Sequence, residues 1–350
     1  MEEPFKDPCV VICTEYSIGG RTMAELRFHF LNVGHGDCTI VEFPSGRAMM
    51  TDINNSPTIE EEDEEGILES IDLDYTEYQQ YKSISASMGV SGDLISYTAN
   101  KNKGLPEPID PIDYLKQLEI TSLFRYVQTH PDMDHMSGLY RLHDQEKIEI
   151  INFWDTNNTK EQDFSGAGGQ RFDERDWIKY QNLRQSESLP KSLQLYRGSK
   201  GQFYEDDGIV ILSPTKALAS RANSTNDHNK HSYVVLIQYN GYKVLLGGDA
   251  DQEVWEDIMA DEDCKNLISN VTVLKAPHHG RDSCFHEEAV KHMSPQWTVC
   301  SVGVKPQNDA HYKYSKFTAE KVLSTRFRGN IVVKIPETGR LLVNSYEIAA

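Results

Sequence analysis

Short apolar runs along the chain predict a fold built mainly from β-strands. Residues 26–33 (LRFHFLNV) predict a first strand, and a glycine turn then leads into a second strand at residues 38–43. Residues 48–53 predict a third strand that contains Asp52 near its end. Apolar runs of this length, separated by glycine- and proline-containing turns, are typical of a β-meander. The N-terminal part is therefore predicted to open a sheet.

Strand and helix patterns alternate along much of the remaining chain. Helices are predicted at residues 111–120 and 137–149, the first with a proline at its start. Strands are predicted at residues 122–129, 148–156, 207–214, 270–277 and 296–303, as a hairpin through YNGY within residues 232–251, and as a final pair within residues 329–345. Because the helices fall between strands, the pattern favours a two-layer sheet core covered by helices.

Two stretches interrupt this pattern within a single predicted domain of residues 1–350. Residues 56–111 begin with the acid-rich block IEEEDEEGILESIDLD. Such a block of like charge is expected to form a solvated loop or a disordered insert. Residues 157–203 are polar and weakly patterned, with one helix expected around residues 173–185. This second insertion is a candidate lid over a substrate.

The composition is that of a globular protein, with 38% hydrophobic and 25% charged residues. No apolar run approaches the roughly 18 residues of a spanning helix, and the acidic start MEEPFKDP does not resemble a secretory signal. The six cysteines show no CxxC spacing. We therefore expect reduced thiols, a cytoplasmic location and no membrane association.

Side chains that bind metals follow three separate predicted strands. The segment HPDMDH (residues 130–135) follows one strand, Asp249 ends a second, and His278 and His279 follow a third. Imidazole and carboxylate groups bind divalent metals, and rigid strand ends can present such groups to one cleft. Three endings of this kind predict a metal site, in preference to a polar turn that happens to contain ligands.

These motifs resemble the metallo-β-lactamase-fold hydrolases, and within them the soluble hydrolase domain of ComEC-type DNA-uptake channels. HPDMDH is the form that the family motif HxHxDH takes in that branch. The similar segments also include LNVGHGDCTIVEF, in which His35 replaces the usual glutamine, the strand pair that ends at Asp249, LKAPHHGRDS and CSVGVKPQNDAHYKYS. The resemblance runs from about Leu26 to Val343, interrupted by the two insertions.

The resemblance implies a mixed α/β fold, a four-layer αββα sandwich with the site along one edge of the two sheets. It also implies two divalent ions, Mn²⁺ or Zn²⁺. The implied ligands are His130 and Asp132 for the first ion, Asp134, His135 and one of His278 and His279 for the second, and Asp249 between both. Because neighbours on an extended chain point to opposite sides, we select His278 as the ligand. His279 is then expected to contact substrate or protonate the leaving group, and Asp134 to orient the nucleophile.

Six further residues are candidates for metal or substrate contacts: His35, Asp37, His228, His231, Arg281 and His311. His228 and His231 lie where the family has its remaining first-metal histidine, but neither matches cleanly, so the first ion is expected to bind more weakly. Arg281 replaces the usual serine of the branch and would place a cation beside an anionic substrate. His35 either lines the site or caps a turn.

Charge favours a phosphoester among the substrates that the fold accepts. The formal charge is −19, from 35 basic and 54 acidic side chains, which repels nucleic acid in general. Three aspartates with two divalent ions would nevertheless make the site locally positive and attract phosphate. Ions about 3.5–4 Å apart would supply a hydroxide and stabilise both the attacking and the leaving oxygen. We expect a dinuclear phosphodiesterase or nuclease that acts on a phosphoester, a nucleotide or nucleic acid.

Two other functions remain open from the sequence. One is a metallohydrolase of a lactam, lactone or thioester, since a fold does not fix its substrate. The other is a degenerate module that binds a protein partner through its insertions, which broken ligands would indicate. Here Asp134, His135 and Asp249 are intact. The aspartate-rich donor set favours phosphoester chemistry, and Asp132 in place of a histidine favours Mn²⁺ or a mixed-metal site over zinc alone.

Overall fold

Two β-sheets pack face to face, and helices cover the outer face of each sheet. The computed structural model describes residues 25–55, 61–166, 169, 171–301 and 309–346. Sequence features at residues 1–24, 56–60 and 302–308 lie outside the described residues. The four-layer αββα sandwich predicted from the sequence is confirmed.

The first sheet has eight strands, and the second has six. The first contains β1 (Glu25–Phe30), β2 (Thr39–Glu42), β3 (Ala48–Thr51), β5 (Ser122–Val127), β7 (Glu149–Asp155), β8 (Lys191–Gln194), β15 (Asn330–Pro336) and β16 (Leu342–Tyr346). The second contains β9 (Ile209–Ser213), β10 (Val234–Tyr239), β11 (Tyr242–Leu246), β12 (Val273–Lys275), β13 (Trp297–Cys300) and β14 (Lys321–Ser324). A short parallel pair joins β4 (Ile53–Asn54) to β6 (Met136–Ser137).

Both sheets combine antiparallel and parallel strands in the same way. The first runs β16-β15-β1-β2-β3-β5-β7-β8 and is antiparallel as far as β3, then parallel. The second runs β14-β13-β12-β11-β10-β9, antiparallel from β9 to β11 and parallel beyond. Parallel neighbours end at the same edge of a sheet, so the loops after β5, β11 and β12 are able to meet.

Helices occupy the connections between strands. They are α1 (Glu61–Ser70), α2 (Tyr75–Ser87), α3 (Leu94–Asn100), α4 (Pro111–Gln117), α5 (Glu174–Leu183), α6 (Lys216–Thr225), α7 (Gln252–Ala260), α8 (Glu262–Leu267), α9 (Glu287–Met293), α10 (His311–Ser315) and α11 (Thr325–Arg328). Among the described residues, no helix has both the length and the apolar character needed to cross a membrane.

Alternation along the central strands explains the layers. In β10, Val235 and Ile237 belong to the core between the sheets, whereas Val234 and Leu236 pack under the helices of the second sheet. In β11, Leu245 likewise points to the helices. A strand that is buried on both faces reads as a continuous apolar run, which is why these strands are visible in the sequence.

The acidic insertion differs from its sequence prediction. A solvated loop was expected, but α1, α2 and α3 pack around a small apolar cluster that includes Leu68, Tyr78 and Tyr97. Buried Glu64 accepts a hydrogen bond from Tyr78 Oη at 2.7 Å and pairs with Lys82 at 3.3 Å. An acid-rich segment can fold when a few apolar side chains cluster and an inward-facing carboxylate is paired.

Two other predicted elements can be compared with the structure. The helix expected at residues 137–149 is shorter: after the short strand β6, residues 139–145 are helical and end in the π-helical turn Arg141–Gln145. Asp176 anchors this region by accepting hydrogen bonds from the backbone N–H groups of Gly138 and Tyr140. In the second insertion, the predicted helix is present as α5, and β8 adds a strand to the edge of the first sheet.

A buried ion-pair cluster fixes the first sheet to the loop that enters the second. Asp207, just before β9, accepts hydrogen bonds from Arg125 of β5 at 2.7 Å and from two nitrogens of Arg47 at 2.7 and 2.9 Å. Ser45 Oγ donates to the same carboxylate at 3.0 Å. One carboxylate therefore balances two arginines between the sheets.

Substitution of Asp207 tests this connection. Asp207→Ala leaves the buried Arg125 guanidinium without its counter-ion and is expected to lower the free energy of unfolding by about 3–5 kcal/mol. Ser45→Ala removes one hydrogen bond to the same carboxylate and should cost only about 0.5–1.5 kcal/mol. Urea titration followed by circular dichroism measures both. Equal losses in the two variants would contradict a dominant role for the ion pairs.

Candidate metal centre

Loops from both sheets meet at one edge of the sandwich. The segment after β5 carries His130 and ends in a 3₁₀ turn, Met133–His135. Asp249 follows β11. The loop after β12 contains the turn His278–Gly280. Backbone hydrogen bonds from Tyr233 N to Thr129 O at 3.0 Å and from His278 N to Gly248 O at 2.9 Å hold these loops together.

Four side-chain atoms are arranged so that each lies next to two of the others, and we call these four atoms the donor ring. They are Asp134 Oδ2, His135 Nε2, Asp249 Oδ2 and His279 Nε2. Successive atoms in that order, returning to the first, are 3.9, 3.3, 3.8 and 3.4 Å apart. Ligands at about 2.0–2.2 Å from a tetrahedral zinc ion lie about 3.3–3.6 Å from one another. Neighbouring atoms of the donor ring are therefore close to ligand spacing. The ligand groups found among the described residues contain its members two at a time, with His35, His130 or Asp37 as the third residue.

Unpartnered polar atoms provide a second test of fit. Within the described part of the chain, the buried atoms without a hydrogen-bond partner include Asp249 Oδ1 and the Nε2 atoms of His130, His135 and His279. A buried polar atom normally has a partner, because leaving it unsatisfied costs free energy. A cation bound within the donor ring would satisfy the imidazoles of His135 and His279. The residues present fit a divalent metal ion.

A buried carboxylate fixes the orientation of His135. Asp52 Oδ2 contacts His135 Nδ1 at 2.8 Å and accepts a hydrogen bond from Thr129 Oγ1 at 2.6 Å. Thr129 N donates to Asp52 Oδ1 at 2.8 Å. An imidazole that donates from Nδ1 keeps the Nε2 lone pair for a metal. Asp52 has a left-handed backbone, with φ of 56°, which lets the carboxylate turn back under the histidine.

A second carboxylate orients His279. His279 Nδ1 lies 3.4 Å from Asp37 Oδ1 and 3.2 Å from Ser301 Oγ. Lys275 Nζ donates to Asp37 Oδ2 at 2.8 Å. Asp37, Asp249 and His279 are close enough to form a metal-binding group, but these contacts assign Asp37 to orienting His279. The Nε2 atom of His279 then points to Asp134 and Asp249.

The geometry favours His279 over His278 as a ligand. The sequence argument assumed an extended chain, but both residues have left-handed backbones, with φ of 48° and 62°. That assumption was wrong, because a turn places both Nε2 atoms near Asp249 Oδ2, at 3.7 Å from His278 and 3.8 Å from His279. The Nε2 atom of His279 also lies 3.4 Å from Asp134 Oδ2. His278 Nδ1 instead contacts Cys284 Sγ at 3.1 Å.

The first-metal position is less complete. His130 Nε2 lies 3.8 Å from Asp132 Oδ2 and 3.7 Å from Asp249 Oδ2, and His130, His135 and Asp249 form a possible ligand group. Lys160 Nζ, from the second insertion, lies 2.5 Å from Asp132 Oδ1. Asp132 thus already has a cationic partner within the protein.

His228 and His231 contact asparagines. His228 Nε2 lies 3.0 Å from Asn226 Oδ1, and His231 Nε2 lies 3.0 Å from Asn223 Oδ1. Their rings stack on each other, with centroids 5.7 Å apart. Neither histidine belongs to the ligand groups found among the described residues.

The glycine turn after β1 brings His35 beside the donor ring. His35 Nε2 is 3.7 Å from Asp134 Oδ2 and 3.1 Å from a guanidinium nitrogen of Arg281. His35, Asp134 and His279 are close enough to form a metal-binding group, but the arginine donates to Nε2 of His35, which favours a substrate-facing role for His35 over metal binding. At Gly36, whose φ is 135°, an added Cβ would lie 2.4 Å from Asp134 O, so only glycine allows this close approach.

His311 lies at the start of α10, where its backbone N–H donates to Asp309 Oδ1 at 2.8 Å. It is not a member of the ligand groups found in the described residues. Residues 302–308, which precede this segment, lie outside the described ranges. Among the described residues, His311 therefore has a backbone hydrogen bond to Asp309 but no contact with the donor ring.

Burial and charge oppose each other throughout the donor ring. Burial alone would raise the pKa of Asp134 and of Asp249, but the surrounding histidines hold both well below the usual value. Burial alone would lower the pKa of His279, but Asp249, Asp37 and Asp134 raise it to about 9. The pKa of His135 is also raised, because Asp249, Asp52 and Asp134 outweigh its burial. Protons on these imidazoles are therefore competitors of a metal ion.

Sequence reasoning missed three residues that support the site: Asp52, Lys160 and Lys275. Asp52 was noted only as the end of a strand, although an acidic residue directly before a buried turn is a usable signal. Lys275 stands in the motif LKAPHHGRDS and could have been considered with it. Lys160 lies in a weakly patterned insertion, and no local signal connects it to Asp132.

No protein-family model matches the chain, and no curated protein matches its sequence. Among solved structures, the chain is similar to the metallo-beta-lactamase fold protein YhfI from Bacillus subtilis, with 9% identity over 89% of this chain and 100% of that chain and a TM-score of 0.45. Igni18, a metallo hydrolase from Ignicoccus hospitalis, has 14% identity over 92% and 100% of the two chains and a TM-score of 0.43. A diphosphatase from the PhnP family has 8% identity over 89% and 87% and a TM-score of 0.38. Likenesses of this size assign no function to the chain.

Replacement of Asp52 should weaken metal binding without removing a proposed ligand. Asp52→Asn suits the left-handed backbone, which asparagine tolerates, but gives His135 a weaker acceptor. Loss of such an outer carboxylate typically lowers metal affinity by about 10–100-fold. Competition with a chromogenic chelator measures this affinity. Thr51→Val, next to Asp52, is the matched control, and unchanged affinity in Asp52→Asn would contradict the orienting role.

Metal binding should release protons at neutral pH. His279, with a pKa of about 9, carries a proton at pH 7 that a metal ion must displace. Affinity should therefore rise with pH, by about tenfold per unit for each displaced proton, and the contribution of His279 should end above about pH 9. Calorimetry in buffers of different ionisation enthalpy counts the protons. A pH-independent affinity would show that His279 does not bind the metal.

Proposed function

We propose that the chain is a divalent-metal-dependent hydrolase of phosphoesters, a phosphodiesterase or nuclease. The donor ring is the observation that supports this proposal. It presents two carboxylates and two imidazoles whose neighbouring donor atoms lie 3.3 to 3.9 Å apart, and both imidazole Nε2 atoms are buried and unpartnered among the described residues. A structural ion pair would not need four such groups around one point.

The resemblance to ComEC-type hydrolase domains is part of the proposal and depends on the sequence motifs alone. So is the cytoplasmic setting, which the buried free thiols of Cys38, Cys264, Cys284 and Cys300 support. Cys9 and Cys13 lie outside the described residues. A protein partner that binds through the insertions is not needed for the proposed hydrolysis.

The proposed ligands of the tightly bound ion are Asp134, His135, Asp249 and His279. When bound there, a divalent ion supplies Lewis-acid polarisation of the phosphoryl oxygen and makes water more acidic. Asp134 also faces His35 at 3.7 Å, so its carboxylate lies between the ion site and the substrate-facing side chains. This position allows Asp134 to orient the attacking water by accepting its hydrogen bond.

His278, not His279, is the imidazole available to substrate, and it acts as a base instead of protonating the leaving group. Its side chain is 22% exposed, whereas that of His279 is fully buried. Burial lowers the pKa of His278 to about 4, although Asp249 opposes the shift. Its imidazole is thus neutral at pH 7, and Nε2 can accept a proton from water or substrate at the site.

Two cations near the donor ring favour an anionic substrate. Arg281 contacts His35, the neighbour of Asp134, with 3.1 Å between their nitrogens, and Lys160 lies 2.5 Å from Asp132, which faces His130. A phosphodiester gains from both its own negative charge and the charge that develops in the transition state. The formal charge of −19 should disfavour long polyanions, most strongly at low salt.

Of the two ions expected from the sequence, the proposal retains the one at the donor ring. A second ion would have to bind His130, Asp132 and Asp249, and Lys160 already pairs with Asp132. Both Mn²⁺ and Zn²⁺ are compatible with donor atoms that combine carboxylate oxygen and imidazole nitrogen.

A substrate panel tests the proposed function. With Mn²⁺ or Zn²⁺ supplied separately, the protein should hydrolyse a chromogenic phosphodiester and short single-stranded oligonucleotides faster than long duplex DNA at low salt. Asp134→Asn should retain the fold but lose most of this activity, because an amide is a poor substitute for the anionic ligand. His292→Gln, whose ring contacts only the backbone of Lys265 among the hydrogen bonds described, is the control. Turnover of a lactam or thioester without phosphodiester cleavage would overturn the proposal.

A further inference from the structure

The second insertion places a lysine at the first-metal position. Lys160 Nζ lies 2.5 Å from Asp132 Oδ1, while the other oxygen of Asp132 faces His130 Nε2 at 3.8 Å. The lysine side chain is 16% exposed and the aspartate side chain 34%. An ammonium at this distance forms a charge-assisted hydrogen bond, so it competes directly with a metal ion for Asp132.

The loop that carries Lys160 is held at both sides by hydrogen bonds. Asn223, on α6, accepts from Thr159 N at 3.0 Å and donates to Asn157 O at 2.7 Å. Arg184, just after α5, donates to Asn158 O at 3.1 Å and to Thr156 O at 3.0 Å. A lysine on such a loop is positioned by its backbone, unlike a surface lysine on a flexible segment.

The same asparagine engages a candidate metal ligand. His231 Nε2 lies 3.0 Å from Asn223 Oδ1, the atom that also accepts from the Lys160 loop. His231 therefore uses a ring nitrogen to support the loop that carries Lys160. His231, a candidate ligand of the first ion, and the loop that carries Lys160 are therefore connected through one side chain, Asn223.

We propose that the ammonium of Lys160 replaces the first metal ion, so that the chain binds one divalent ion tightly, at the donor ring. This inference rests on the proposed function, since it assigns the ion to that site. Because His228 and His231 contact asparagines, a divalent ion at this position would have only His130, Asp132 and Asp249 as ligands, and it would have to displace a pre-positioned cation from Asp132. Lysine carries one positive charge where the ion would carry two.

Lys160 also lies in the wall of a cavity beside the first-metal position. The cavity has a volume of about 350 Å³, and its lining includes Lys160 and the three carboxylates of Asp132, Glu161 and Asp227. With one lysine among three carboxylates, this wall attracts cations, and the Lys160 ammonium is the cation that the protein itself supplies to Asp132.

Metal stoichiometry tests the replacement without measuring activity. Protein dialysed against Mn²⁺ or Zn²⁺ is analysed by inductively coupled plasma mass spectrometry, and binding is followed by calorimetry. The unaltered chain should bind one ion tightly. Lys160→Met, which keeps an unbranched stem but removes the charge, should bind two. Lys160→Arg retains the charge and should still bind one.

Two more variants locate the added ion. Lys160→Met combined with Asp132→Asn should return to one ion, because the vacated carboxylate is lost. Asn223→Ala, which loosens the Lys160 loop, should raise the stoichiometry above one even if Lys160→Met fails to fold. Two tight ions in the unaltered chain, or one ion in Lys160→Met and in Asn223→Ala alike, would overturn the replacement while leaving the hydrolase proposal intact. Absence of any bound ion would overturn both.

Discussion

The site depends on one buried oxygen, Oδ2 of Asp249, which faces four imidazoles at 3.3 to 3.8 Å, those of His130, His135, His278 and His279. A carboxylate taken out of water is costly unless positive charge surrounds it. Asp249 follows β11, a strand buried on both faces, and cannot move outward without disturbing the core. The loops after β5 and β12 are therefore organised around a fixed negative charge, whether protons or a metal ion balance it.

Outer carboxylates convert this charge arrangement into a defined geometry. Asp52 holds Nδ1 of His135, and Asp37 faces Nδ1 of His279. Each histidine then presents Nε2 to the donor ring, so the tautomer and the ring orientation are set before an ion binds. Lys275 balances Asp37, and hydrogen bonds from Thr129 satisfy Asp52. Preorganisation of this kind lowers the reorganisation required on metal binding.

The sequence was informative where the relevant signal is local. Doubly buried strands such as β10 and β11 appear as apolar runs, and the proposed ligands follow them directly. The helices of the acidic insertion were missed because they depend on sparse contacts such as that between Tyr78 and Glu64. The choice between His278 and His279 depended on backbone angles that alternation cannot supply. The contact between Lys160 and Asp132 arises only from the folded path of the chain, 28 residues apart.

The close approach at Gly36 has a consequence for how this site can diverge. The glycine turn lies against the backbone of Asp134 with no room for a side chain, so this wall of the mouth cannot be remodelled without displacing a proposed ligand. The opposite wall belongs to an insertion anchored by side-chain hydrogen bonds such as those of Asn223 and Arg184. Substitutions that change substrate size in descendants of this sequence should therefore accumulate on the insertion side, while the glycine turn stays unchanged.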